Sequence, residues 1–250
     1  MPCGLQPASA TRLPPPAPCR WSTEEEQGKF NVGDEIFVST PGLQRATYRF
    51  DGTVWVPKEG KYLLWKEDME RFNAYYPAES GENPFSYVHP TDQSSTEKIA
   101  KADLMSVGLD QAKTKEALHF TMYRKTTRLI VEIAGFKSEF PGDAKVENVR
   151  FLNKANASAP LRTYIPYAKG EGKTGSTYTV LVPWDAAHNT ISLEVGGKTM
   201  TAKLSEFTYD SGQSYTYRLT VGKEKLETTE VTVSDWTGSA VIPGGEAKAN

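Results

Sequence analysis

The amino-acid sequence predicts an all-β protein of two sandwich domains, and three observations carry that prediction. From Phe30 onward apolar side chains recur at every second position, the period of a strand with one face buried. Turn chemistry interrupts the alternation about every ten residues, the spacing of sandwiches and barrels. Helical periodicity is nearly absent. A chain of 250 residues holds one large domain or two small ones at roughly 100–150 residues each. The expected division is a leader over 1–27, a first domain over 28–113, a second over 114–238 and a flexible tail over 239–250.

In chain order, the leader MPCGLQPASATRLPPPAPCRW is dense in proline, which removes ladder donors and favours an extended, solvated segment. Glu35–Val38 reads as the first strand. Thr47–Phe50 and Thr53–Val56 then flank Asp51-Gly52, a pair suited to the positive-φ positions of a type I′ hairpin. Lys61–Trp65 and Phe72–Tyr76 add two short strands, the second stopped at Pro77. Residues 78–96 form a loop, and a short helix or turn is expected near Ala102–Val107.

The second half alternates more cleanly. Leu118, Phe120 and Met122 share one face and open the second sandwich, followed by Leu129, Val131 and Ile133. Val146–Leu152, Arg162–Tyr167 and Thr177–Val182 are further strands. Ile191, Leu193 and Val195 run into Gly196-Gly197 and return through Met200, Ala202 and Leu204, a two-residue hairpin. Tyr215, Tyr217, Leu219 and Val221 form a third face, paired after Gly222 with Leu226–Val233.

Composition excludes several classes of function. Lys+Arg 29 against Asp+Glu 31 gives a formal charge of -2, without the basic footprint that a nucleic-acid partner requires. Cys3 and Cys19 are the only cysteines, so residues 20–250 offer no thiolate centre. No run of apolar residues is long enough for a transmembrane helix. The motif GEGKTG, with Gly170, Gly172 and Gly175, matches a dinucleotide loop literally, but STYTVLVP after it is a strand rather than the helix whose N–H groups would face phosphates. His89, His119 and His188 are widely separated and chelate nothing as a pair. No nucleophile elbow occurs, and Asp34, Asp51 and Asp210 sit where aspartate closes turns. Asp210-Ser211-Gly212 lacks the ligand spacing of a calcium loop. The expectation is therefore no catalysis, cofactor or metal. Trp21, Trp55, Trp65, Trp184 and Trp236 are expected mainly in cores, with a sugar-stacking platform of exposed aromatics as the alternative function. Asn156-Ala157-Ser158 is a glycosylation sequon.

The order of motifs carries more than any one of them. FNVGDEIFV, TYRFDGTVWVP, LLW and ERFNAYYP resemble the first domain of the fimbrillin-like proteins of Bacteroidetes, in the Mfa-like branch of the type V pilin superfamily. DLMSVG, LHFTMYRKTTRLIVEI, LVPWD, FTYDSGQSYTYRLTV and VTVSDW continue the resemblance to about residue 236. It implies two tandem transthyretin-like, Greek-key β-sandwich domains in an outer-membrane-associated lipoprotein of a surface fimbria. The implied partners are other fimbrial subunits or further copies of the chain, joined by strand addition, with a surface protein or glycan as ligand. The implied donor or partner strand is Leu226–Trp236, with Leu226, Val231, Val233 and Trp236 as its marked residues, and the implied processing sites are Arg20 and Arg45. Neither Cys3 nor Cys19 follows an apolar stretch, a departure from the lipidated cysteine of such proteins.

Overall fold

The structure is a computed structural model that describes residues 30–42, 44–81, 87–115, 118–154, 158–183, 188–204, 209–222 and 226–236. The leader, the tail, both cysteines, Arg20, Trp21, Asn156 and Trp184 lie outside the described residues. Two compact units emerge, one holding the residues up to Tyr87 with Met105–Tyr123, the other Val88–Leu104 and the chain from Arg124 onward. Among the described residues the chain thus passes between units three times, where one boundary after residue 113 was expected.

The first unit is built on β1 (Glu35–Ser39), β2 (Arg45–Phe50), β3 (Trp55–Pro57), β4 (Met69–Tyr76) and β5 (Met105–Ala112), and the two-residue β6 (Tyr123–Arg124), at whose second residue the other unit begins, completes the sheet order β3-β2-β1-β4-β5-β6. Alternation turns Ile36, Val38, Tyr48, Phe72, Ala74 and Tyr76 inward. Residues outside the strands cover that face: Phe30, Leu63, Leu118 and Phe120 are all buried in the same cluster. Phe30 meets Trp55 edge-on at 4.7 Å between centroids. Leu118, Phe120 and Met122, expected at the start of the second sandwich, belong to this core instead. Their alternation marks a half-buried extended segment, which is not enough to make a strand.

Lys61–Trp65 is likewise not a strand. Its backbone is satisfied by a side chain: Gln44 donates to the Leu64 carbonyl and accepts from the Leu64 N–H, both at 2.8 Å. The hairpin at Asp51-Gly52 forms, but Phe50 pairs with Trp55, leaving four residues in the loop. Asp51 Oδ1 accepts from the N–H groups of Thr53 and Val54 at 2.7 and 2.8 Å, so the carboxylate closes a longer turn than the two-residue one expected. The helix expected over 102–107 lies earlier, as α1 (Thr96–Lys101) capped by Ser95, and Met105 already opens β5.

The second unit is a sandwich. Its strands are β7 (Thr126–Phe136), β8 (Val146–Lys154), β9 (Arg162–Tyr164), β10 (Tyr167–Lys169), β11 (Thr177–Pro183), β12 (His188–Val195), β13 (Lys198–Lys203), β14 (Gln213–Val221) and β15 (Leu226–Asp235). One sheet has the order β10-β11-β7-β14-β15 and the other β13-β12-β8-β9. Every pair is antiparallel except β7 with β14. Leu129, Val131 and Ile133 from one sheet pack with Phe151, Ile191 and Leu193 from the other. The expected strand Arg162–Tyr167 is split between the two sheets, because Pro166 between β9 and β10 has no N–H to give either ladder.

GEGKTG is the loop joining β10 to β11, with Gly170, Gly172 and Gly175 at φ of 101, 83 and 84°. A side chain at Gly172 would stand 2.3 Å from the Val146 carbonyl, so the glycine there permits a close backbone approach. Gly196-Gly197 makes the two-residue turn between β12 and β13, both at positive φ.

Candidate functional site

A protein of alternating strands presents two kinds of surface, faces and edges. The edges carry unpaired N–H and C=O groups that another chain can join. In the described sheets most margins are blunted. β3, β9 and β10 have three residues each and β6 has two, and β3 ends in Pro57. β13 has six residues with Lys198 and Lys203 at its ends. β15 differs. It has ten residues, LETTEVTVSD, with neither proline nor lysine, and it stands last in its sheet. That makes it the longest marginal strand among the described residues.

The residues singled out for strand exchange fall on this element. Leu226 opens β15 and is buried; Val231 and Val233 pair through the backbone with Tyr217 and Tyr215; Trp236 follows its last residue. In this chain β15 completes its own sandwich against β14, with a register shift at Arg218/Leu219. Arg45 is the first residue of β2, paired with Ser39 and followed by buried Ala46. It lines an open groove of about 370 Å³ together with Glu35, Phe37, Lys58 and Glu79.

The far end of β15 is held by a polar cluster. Asp103, 1% exposed, accepts from Nε of Arg124 at 3.1 Å through both oxygens, and Thr126 Oγ1 lies 3.4 Å away. The Arg124 guanidinium lies 4.1 Å from the Trp236 ring centroid, and that of Arg128 lies 5.1 Å from it. Both are within cation–π range. Arg128 Nε donates to Ser214 Oγ at 2.8 Å. Backbone bonds complete the attachment: Trp236 donates to the Gly212 carbonyl at 2.9 Å, and Gly212 to that of Thr126 at 2.8 Å. Asp210-Ser211-Gly212 is consequently a tying turn, with the Asp210 carbonyl accepting from Thr127 Oγ1.

Asp103, Arg124, Arg128 and Ser214 were not singled out from the sequence. A signal was present: YRKTTRL places two arginines four residues apart in an extended run that leads directly into buried Leu129, so both fall on one face. Only the fold brings Asp103 and Trp236 to them.

Among the described residues no group of three or more His, Cys, Asp or Glu side chains could hold a metal ion. His119 is exposed on the segment under the first sheet. His89 is buried, and burial together with the Arg162 charge pushes its imidazole down to about 3, so it is neutral at physiological pH. Trp55 and Trp236 are buried and Trp65 packs edge-on against Phe72, which leaves no exposed tryptophan platform among the described residues. No described helix is long and apolar enough to cross a membrane.

Comparison with known proteins agrees with the architecture. Residues 21–236 match the model of the fimbrillin-like family. The chain belongs to that family. As a fimbrillin-like protein it falls in a class of fimbrial structural or adhesive subunits of the cell surface. A crystal structure from Bacteroides ovatus, described as a cell adhesion protein, is similar with a TM-score of 0.67 at 14% identity, covering 92% of this chain and 99% of that one. Another so described, from Bacteroides uniformis, gives 0.59 at 16% identity over 83% and 93% of the two chains. The tip fimbrial protein Mfa3 of Porphyromonas gingivalis gives 0.49 at 15% identity over 90% and 99%. No curated protein matches the sequence.

Proposed function

We propose that this fimbrillin-like protein is a subunit of an outer-membrane-associated fimbria and assembles with neighbouring subunits, or with further copies of itself, by β-strand addition. The observation that carries the reading is β15, a ten-residue strand at a sheet margin, without the proline or lysine that usually blunts such an edge, in a chain of this family. Main-chain hydrogen bonds would supply the affinity and alternate side chains the choice of partner. The sheet of the first unit supports a complementary role. β1 lies between β2 and β4, pairing five residues with one and three with the other. After a cut following Arg45, pairing and packing alone would retain β1, and its departure would leave a slot between β2 and β4 beside Tyr48, Phe72 and Ala74. Because Arg45 is itself in the ladder, that end of β2 must open before a protease can act there. A cut at Arg20 would leave β1 covalently attached.

Limited digestion with an arginine-specific protease, followed by size-exclusion chromatography and electron microscopy, tests the reading. Strand-joined oligomers are expected from the trimmed protein. A trimmed protein that stays strictly monomeric at high concentration would count against it.

A further inference from the structure

β15 is attached to its sandwich unevenly. At its start Leu226 sits in the apolar core as an ordinary buried leucine. At its end the side-chain anchor is Trp236, whose ring lies beside the guanidinium groups of Arg124 and Arg128. Arg124 is in turn fixed by buried Asp103, and Arg128 donates to Ser214 on β14. The indole ring is buried, yet its Nε1 has no hydrogen-bond partner among the described residues. A buried tryptophan usually spends that donor on an acceptor. Trp236 is therefore held by the face of its ring, by its backbone N–H to Gly212 and by its carbonyl, which accepts from Arg124 Nη1 at 3.5 Å, and withdrawing the ring breaks no indole hydrogen bond seen in the structure. The two arginines would remain held without it, because Asp103 and Ser214 still accept from them.

We propose that Trp236 is a releasable clasp for β15: the Arg124–Arg128 pair is a socket that stays assembled without it, and seating the ring keeps the last strand in its own sandwich instead of in a neighbour's. Trp236 acts as a positioning residue for the strand, and its partner when unseated is a second copy of this chain, whose vacated margin against β14 and identical socket would receive β15 in a swapped dimer. The inference concerns retention of the strand in the monomer and does not depend on how a fimbria is built.

Hydrogen exchange with residue-level readout on the full chain tests it. For Trp236→Ala, amides of 226–235 that face β14 should exchange about 10–100-fold faster than in the parent, a loss in the range of a desolvated cation–π contact. Those of β7 and β11 should keep their rates. A concentration-dependent dimer should appear on chromatography. Trp236→Phe, which keeps a ring face, should show a smaller acceleration, and its reading stands if the alanine variant does not fold. Unchanged exchange over 226–235 in both variants would overturn the clasp. An equal acceleration across the whole second unit would also overturn it, since Trp236 would then be an ordinary core residue.

Discussion

The two units solve the burial problem differently. In the second, both layers of the core are strands, and Phe151 and Tyr164 are enclosed between two hydrogen-bonded sheets. In the first, among the described residues, the strands make one six-stranded sheet, and much of what covers it comes from Phe30, Leu63, Leu118 and Phe120, which lie outside any strand. A layer that is itself laddered resists collapse around a void, whereas an unladdered segment can shift to fill one. The first unit should therefore be the more adaptable, which suits the proposed departure of β1 from its sheet. The second should be the more rigid, as a unit with a clasped margin requires.

The largest expected effect sharpens that contrast. Phe151→Ala should destabilise the second unit by about 3–5 kcal/mol, and Phe120→Ala should fall at or below the bottom of that range in the first. Urea titration followed by unit-resolved hydrogen exchange would show it, and equal losses would break the comparison. Next comes the buried ion pair, which has no counterpart among the described residues of the first unit's core. Arg124→Met should cost the second unit about 3–5 kcal/mol by stranding Asp103, and adding Asp103→Leu should recover most of it, because the strand-end pair as a whole contributes little net stability. A double variant no better than the single would show that the pair itself is stabilising.

Acid should separate the units as well. His89 lies in the second, and its folded-state value of about 3 is below the ordinary 6.5. The unfolded chain therefore binds the proton more readily. The stability from the neutral buried imidazole is fully present above pH 6.5 and is lost progressively as pH falls toward 3. That is about 1.4 kcal/mol per pH unit, or about 2 kcal/mol by pH 5. The second unit's urea midpoint should drop over this interval, and His89→Gln should flatten the dependence. The smallest effect belongs to the surface of the first unit. Glu35 accepts from Arg49 and Lys58 at 3.1 and 2.9 Å, but both cations are about half exposed. Glu35→Gln should change stability by less than about 1 kcal/mol, and less still in high salt.

How far this molecule could be read from its sequence depended on whether the information was local. Strand periodicity and the Gly196-Gly197 turn act within a few residues, so the fold class, most strands and that hairpin were legible. The largest misreadings share a cause, that long-range partners replaced local ones, whereas the longer Asp51 turn and the split at Pro166 have local causes. Lys61–Trp65 looks like a strand, yet its ladder neighbour is the side chain of Gln44. Gln93 does the same in the second unit, exchanging two hydrogen bonds of 2.8 Å with the backbone of Leu181, and so draws residues 88–104 into that unit. Leu118, Phe120 and Met122 alternate as a strand would but serve as a lid. Of the site, β15 was visible as an alternating terminal segment. Its clasp was not, because Asp103, Arg124 and Trp236 meet only after more than a hundred residues of intervening chain have folded.

In the proposed assembly β15 is the margin through which subunits join. Hydrogen exchange over residues 226–236, compared between the monomer and the assembled fimbria, tests it most directly. Added protection confined to one edge of that strand, with β10 and β13 unchanged, is the predicted result. Identical exchange there in both forms, with new protection appearing only elsewhere, would contradict it.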